Sequence, residues 1–352
     1  MDAHAAIAIL LETAAVVPGR SWLVPGGEAA LAWGLAEVHP DVTIHWQPVD
    51  VRERSALDDP PGNLRIGEPV ANPGRVDAVV LLVPPDRDLA RRWLLLARSV
   101  IGADGRLVLA GANAEGIRSV IGDAEALFGS PLYEAYRSKQ RVAIFTAGTG
   151  TEGIPGWADE SGVAPGTWRE MSLALRGREI PLVTQAGVFA GDRIDPGTRL
   201  LLDALPERID GAVLDLGCGI GAIGIVALLL GSERVDMTDV NLLAVQAATE
   251  NLHRLGLSGV RPLAGDVYDA VGAARYDLIV SNPPFHRGKA VDLSVADRLI
   301  DDAPAHLAVG GSLLLVANAF LAYGKRMTRV FRDVETIAAT RQYHVIRASA
   351  PR

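Results

Sequence analysis

The stretch "GAVLDLGCGIGAIGIVALLLG" (211–231) decides the fold of this chain. "GAVLDLG" is a short apolar run ending in glycine, as a buried strand does, and "AIGIVALLLG" has helical length with a glycine at its end. Gly217, Gly219, Gly221 and Gly224 mark the place where strand turns into helix. They permit positive φ and close approach of a ligand to the backbone, and the N-terminus of the following helix favours anionic groups. Gly219-x-Gly221-x-x-Gly224 also satisfies the dinucleotide-binding pattern. The loop alone therefore announces an adenosine-containing ligand and leaves a nicotinamide cofactor and S-adenosylmethionine both open.

Outward from this loop, strand-like and helix-like segments alternate. "RVDMTDV" (234–240) reads as a strand and "NLLAVQAATENLHRLGL" (241–257) as an amphipathic helix that Asn241 is placed to cap. Further strands are expected at 260–268, 276–282, 311–318 and 341–349. Strands separated by helices predict an α/β fold with a mostly parallel, doubly wound sheet.

The first half of the chain repeats this order. "RVDAVVLLVPPDRD" (75–88) parallels "RYDLIVSNPPFHRG" (275–288), "GRLVLAGAN" (105–113) parallels "GSLLLVAN" (311–318), and the separation stays near 200 residues. A near-constant spacing indicates duplication of a whole domain, hence two tandem Rossmann-like domains. The first copy lacks the Asp-x-Gly-x-Gly-x-Gly run and has "WLVPGGEAAL" (22–31) in its place. Aligned on Pro-Pro, Asn282 faces Val83 and Phe285 faces Asp86. The Gly/Pro-rich stretch 147–168 reads as a linker. The expected organisation is thus a degenerate copy at 1–150 kept for structure or RNA recognition, a linker and lead-in at 151–180, and a cofactor-binding domain at 181–352.

Three features of the second copy favour S-adenosylmethionine. Asp215 lies inside the first strand, where a carboxylate can reach a cationic amino group, whereas Asp239, closing the second strand, would bind ribose hydroxyls with either cofactor. Asp266 and Val267, at the end of the third, are candidates for the adenine amine and ring. The fourth strand ends in Asn282-Pro283-Pro284-Phe285. An sp² amine is a poor nucleophile because its lone pair is delocalised. The Asn282 side-chain oxygen and the carbonyl of Pro283 can each accept one of its N–H groups and aim the lone pair at an electrophile. Two prolines stiffen that presentation, and Phe285 offers a flat face to the ring bearing the amine.

Composition narrows the class. The 352 residues are 49% hydrophobic and 22% charged, which fits well-cored domains and argues against disorder. No apolar run has membrane-spanning length, and the start lacks a secretion signal. The single cysteine, Cys218, allows no internal disulfide and points to a reducing cytoplasm. No Cys/His cluster suggests a metal. A net charge of −8 demands a local basic patch for any nucleic acid. Candidates are Lys325, Arg326, Arg329, Arg332, Arg341 and Arg347, with His286, Arg287 and Lys289 after the tetrapeptide.

These residues resemble the class I S-adenosylmethionine-dependent methyltransferases, and more closely the bacterial small-subunit (16S) ribosomal RNA guanine-N2 methyltransferases. The resemblance rests on "DLGCGIG" (215–221), "SNPPFH" (281–286), "GGSLLLVANAFLAY" (310–323) and "GVFAGDRIDPGTRLLLDAL" (187–205), with "GANAEGIRS" (111–119) in the first half. It implies that Asp215, Gly217, Gly219, Gly221, Asp239, Asp266 and Val267 surround S-adenosylmethionine. It further implies that Asn282, Pro283, Pro284 and Phe285 hold a flipped guanine whose N2 amine is methylated. The implied partner is ribosomal RNA within the 30S subunit or its precursor, met by a monomer in the cytoplasm, away from membranes. The tetrapeptide type is shared with adenine-N6 and glutamine-N5 methyltransferases. Those substrates, large-subunit guanine, and a non-catalytic RNA-binding assembly factor stay open as alternatives. A nicotinamide dehydrogenase is least favoured, because no catalytic His, Lys or Tyr arrangement accompanies the loop.

Overall fold

The computed structural model describes residues 3–147, 154–189, 191, 193–283 and 294–352. The chain forms two compact units, Met1–Arg169 with Gln185–Gly187, and Glu170–Thr184 with Val188–Arg352. No helix among the described residues is long and apolar enough to cross a membrane.

The first unit contains β1 (Ser21–Pro25), β2 (Thr43–Gln47), β3 (Leu64–Ile66), β4 (Val76–Leu82), β5 (Ile101–Ala112), β6 (Tyr133–Arg137) and β7 (Gln140–Thr146). They form one seven-stranded sheet ordered β3-β2-β1-β4-β5-β7-β6, parallel except where β7 runs antiparallel to both neighbours. Its helices are α1 (Ala3–Ala14), α2 (Ala29–Val38), α3 (Val51–Ser55), α4 (Arg87–Val100) and α5 (Ile117–Phe128). Successive residues of a strand point to opposite faces, so both faces of this sheet must be apolar. Leu23, Val79, Leu81, Leu107 and Leu109 pack with α4 and α5, whereas Trp22, Val24, Ala78, Val80 and Val108 pack with α1 and α2.

The second unit opens with the hairpin β8 (Arg169–Leu175) and β9 (Arg178–Thr184), followed by α6 (Pro196–Ala204). Its sheet comprises β10 (Ala212–Leu216), β11 (Arg234–Asp239), β12 (Pro262–Ala264), β13 (Tyr276–Ser281), β14 (Leu307–Asn318), β15 (Phe331–Ala339) and β16 (Tyr343–Pro351). The order β12-β11-β10-β13-β14-β16-β15 repeats that of the first unit strand for strand. The helices α7 (Ala222–Leu229), α8 (Leu242–Arg254), α9 (Ser294–His306) and α10 (Tyr323–Val330) complete it. Leu214, Leu216, Ile279, Leu313 and Leu315 bury one face against α9 and α10. Asn241 caps α8 as expected, its side-chain oxygen accepting the Leu243 N–H at 2.9 Å. The two tandem Rossmann-like domains inferred from the repeat are therefore present.

The duplication extends to single hydrogen bonds. Asp77 Oδ2 accepts the N–H groups of Arg20 (2.6 Å) and Ser21 (3.0 Å) at the start of β1, and Asp277 Oδ2 accepts that of Ala212 (2.8 Å) at the start of β10. Gly26 N–H donates to Gln47 O at 2.8 Å, and Gly217 N–H to Thr238 O at 2.8 Å. Register also corrects the alignment drawn on Pro-Pro. Ala78 pairs with Trp22 and Arg106, and Leu278 with Val213 and Ser312. Four residues further on, the counterpart of Asn282 is Leu82, and Val83 matches Pro283. The first copy carries one extra residue before its prolines, which hides this in the sequence.

The first unit also runs beyond the expected boundary at 150, through Arg169. Arg92 of α4 is fully buried and donates to Val163 O (3.1 Å), Gly162 O (2.8 Å) and Gln185 Oε1. Burial lowers its pKa to about 10, so the guanidinium stays charged and must keep these acceptors. They pin 162–163 and 185 into the unit.

Candidate active site

Three glycines of the β10–α7 turn adopt left-handed backbone, Gly217 at φ +69, Gly219 at +56 and Gly221 at +81. The N–H groups of Gly217 and Cys218 both donate to Thr238 O, at 2.8 and 3.0 Å, tying the turn to β11. A Cβ added at Gly217 or Gly219 would meet nothing within 4 Å, whereas one at Gly224 would lie 2.5 Å from Met237 Cε and one at Gly221 3.1 Å from Ala248 Cβ. The first two glycines therefore leave open space above the turn. The other two let α7 pack against β11 and α8.

Asp215 lies beneath that turn with 0% exposure. Its Oδ2 accepts the Gly224 N–H at 2.8 Å, and its Oδ1 has no partner among the described residues. Burial, with a smaller contribution from the Asp239 charge, pushes its pKa up to about 7, against the Gly224 hydrogen bond. Asp239 ends β11, where its Oδ2 accepts Gly219 N–H (2.8 Å) and its Oδ1 accepts Asn241 N–H (2.8 Å). Just after the neighbouring β12, Asp266 forms an ion pair with Arg298 at 2.6 Å, and Gly265 N–H reaches Asp239 O at 3.0 Å. Val267 is buried at φ +55, a backbone that a β-branched residue rarely adopts, and its carbonyl accepts Thr238 Oγ1–H at 3.3 Å. The Cys218 thiol is buried, and burial pushes its pKa up, which removes it as a nucleophile.

Asn282 follows β13. Its Nδ2 donates to Asp195 Oδ2 at 3.0 Å and to Thr198 Oγ1 at 2.9 Å, while its Oδ1 is buried with no partner among the described residues. Asp195 is the N-cap of α6, accepting the N–H groups of Gly197 (2.8 Å) and Thr198 (3.1 Å), with Pro196 at the first helical position. Thr184, Phe189, Asp195, Thr198, Gly217 and Asn282 line one cleft. Thr184 there is 1% exposed, and its hydroxyl also lacks a partner among the described residues. Buried polar atoms are normally satisfied, so three orphans at or beneath one cleft mark a place made for a ligand.

Asp215, the glycines, Asp239, Asp266, Val267, Asn282 and Pro283 all sit at the carboxyl edge of one sheet. Pro284, Phe285, His286, Arg287 and Lys289 lie outside the described residues. Of the basic series, Arg326 is paired with Asp297 and Asp301, and Arg347 with Glu335. Sequence reasoning missed Thr184, Asp195 and Thr198. The capping signature Asp195-Pro196 was legible, but its target, 87 residues away, was not. A buried Asn251 was missed too: it takes the Val183 N–H at 2.6 Å and donates to Val183 O and Ile220 O at 2.9 Å each, joining β9 to the glycine turn.

Comparison with known proteins fits this geometry. Residues 179–347 match the model of the methyltransferase small domain. The ribosomal RNA small subunit methyltransferase C of Vibrio parahaemolyticus is 30% identical over 274 residues, 77% of this chain and 76% of its own length. The chain belongs to the ribosomal RNA small subunit methyltransferase C family. Its relative in Aliivibrio fischeri is 30% identical over 80% of both chains. Among solved structures, the Thermus thermophilus 16S rRNA N2 methyltransferase, in complex with AdoMet and guanosine, superposes with a TM-score of 0.82 at 30% identity, over 98% of this chain and 92% of that one.

Proposed function

We propose that this chain is a cytoplasmic enzyme that transfers the methyl group of S-adenosylmethionine to the exocyclic N2 amine of a guanine in 16S ribosomal RNA, within the 30S subunit or its precursor. One observation carries the reading: Asn282 turns a buried oxygen, without a partner among the described residues, away from Asp195 in the cleft shared with the glycine turn. That oxygen needs an N–H donor, and the amine of a flipped base supplies one. A family member of the same fold was solved with AdoMet and guanosine.

The residues fit the cofactor. Space above Gly217 and Gly219 is open, the Asp215 Oδ1 that has no partner among the described residues suits a cationic amino group, and Asp239 stands where ribose hydroxyls would lie. Gly221, Asp266 and Val267 complete this role. Bound there, S-adenosylmethionine supplies an electrophilic methyl on a sulfonium. The chain's task is positioning: Asn282 Oδ1 and the Pro283 carbonyl each accept one N–H of the amine, Pro284 stiffens the turn, and Phe285 stacks on the base. Stacking offsets part of the few kcal/mol that extrusion of a base costs. The first unit serves as an eroded copy retained for structure or RNA recognition.

The test is labelled methyl transfer to 30S subunits, 50S subunits and protein fractions from cells lacking this protein. Label should appear in guanine N2 of 16S RNA with wild type and be lost with Asn282→Ala, while cofactor binding persists. Label in adenine, 50S RNA or protein would contradict the substrate, and an unchanged Asn282→Ala rate would contradict the site.

A further inference from the structure

We propose that Asp195 and Thr198 are positioning residues that lock the Asn282 amide with its oxygen towards the substrate, and that the Asp195 charge strengthens that oxygen as an acceptor. The inference rests on the reading of Asn282 given above and goes beyond it, because neither residue touches the amine.

An asparagine side chain is nearly symmetric in shape, so a pocket must choose between its two ends by hydrogen bonding. An ionised carboxylate only accepts. With Asp195 Oδ2 3.0 Å from Asn282 Nδ2, the flipped amide would set oxygen against oxygen and turn its NH₂ towards the amine it is meant to receive. Thr198 Oγ1, 2.9 Å from the same nitrogen, accepts the second proton. Both Nδ2 protons are thereby committed, and Oδ1 has no partner among the described residues.

The carboxylate is itself held rigidly. The Gly197 and Thr198 N–H groups bind the same Oδ2 that receives Asn282. A Cβ at Gly197 would come within 2.9 Å of Asp195 Oδ2 and 3.1 Å of the Tyr343 ring, so glycine there permits the arrangement. A negative charge behind an amide polarises it towards its oxygen, and hydrogen bonds in series reinforce one another. The same charge favours the positive charge that develops on the amine as it is alkylated.

Asp195→Asn tests this, because asparagine caps a helix as well as aspartate and keeps the shape, yet it removes the charge, and its amide oxygen, held by the Gly197 and Thr198 N–H groups in place of Oδ2, is a weaker acceptor for Asn282. Turnover on 30S subunits should fall by about tenfold or more while cofactor affinity and melting temperature stay near wild type. In an Asn282→Ala background the same change should add less than about twofold, since the residues act as one unit. Thr198→Val should lower turnover by several-fold and Thr198→Ser should restore much of it, which decides the matter if Asp195→Asn is poorly folded. Wild-type turnover in Asp195→Asn, or full additivity with Asn282→Ala, overturns the proposal. If Asn282→Ala itself turns over normally, the site reading beneath it falls instead.

Discussion

Gly26 and Gly217 occupy the same place in two copies of one fold, and what stands above them differs. Above Gly217 a Cβ would meet nothing within 4 Å; at Gly26 it would lie 3.3 Å from the indole nitrogen of Trp93. Trp93 projects from α4, and Trp46 donates its own indole N–H to Gly26 O at 2.9 Å. By register, Asp215 is replaced by Val24, Asp239 by Pro48 and Asn282 by Leu82. The scaffold features, Asp77 and Asp277 at the strand starts and the bond from glycine to the second strand, are shared. The first copy thus lacks these three polar groups and has indole where the second has open space. The hydrogen bonds that hold the sheet were left alone.

Four changes would break or sharpen this contrast. Trp93→Ala should have the largest effect, destabilising the protein by about 3–5 kcal/mol in denaturant unfolding, because a fully buried indole leaves a cavity. It should create no second cofactor site, since Val24 and Pro48 remain; a gained site would show that erosion is no more than a plug. Asn282→Ala should lower turnover by about 10²–10³ with cofactor affinity unchanged, measured by single-turnover methyl transfer. Gly217→Val, which forces a β-branched residue to φ +69 and fills the open space, should weaken cofactor binding by about tenfold or more in calorimetry.

The smallest effect concerns pH. Asp215 in the free protein titrates about 7, raised from 3.8 by burial, so it is largely neutral at pH 6 and largely ionised at pH 8. A cationic amino group binds the ionised form, and affinity for S-adenosylmethionine should therefore rise by about tenfold from pH 6 to pH 8. The sign for folding is opposite: the folded free protein holds this proton more tightly than the unfolded chain, so the contribution of Asp215 to stability is present below 3.8 and is lost as pH rises towards 7. Asp215→Asn should abolish the pH dependence of binding.

Much of this was legible because parallel strands buried on both faces read as continuous apolar runs, and the glycine turn has a spacing of its own. The outermost strands β6 and β15 were not read. Both are mostly exposed edge strands, and neither "YEAYR" nor "FRDVETIAA" alternates as a half-buried strand does. The stretch 147–168 looked like a linker because the anchors of its described part are its own carbonyls and the charged Arg92, which a sequence places in solvent. In the site, residues supplied by strand ends could be named, since topology alone brings them together. Thr184, Asp195 and Thr198 could not, because their meeting with Asn282 depends on how β9 and α6 lie across the sheet edge.

The contrast between the copies is tested most directly by equilibrium titration of the full chain with S-adenosylmethionine. One site per chain, weakened by about tenfold or more in Gly217→Val and untouched by Asn282→Ala, is the predicted result. Two sites, or one site whose affinity is unchanged in Gly217→Val, would contradict the account.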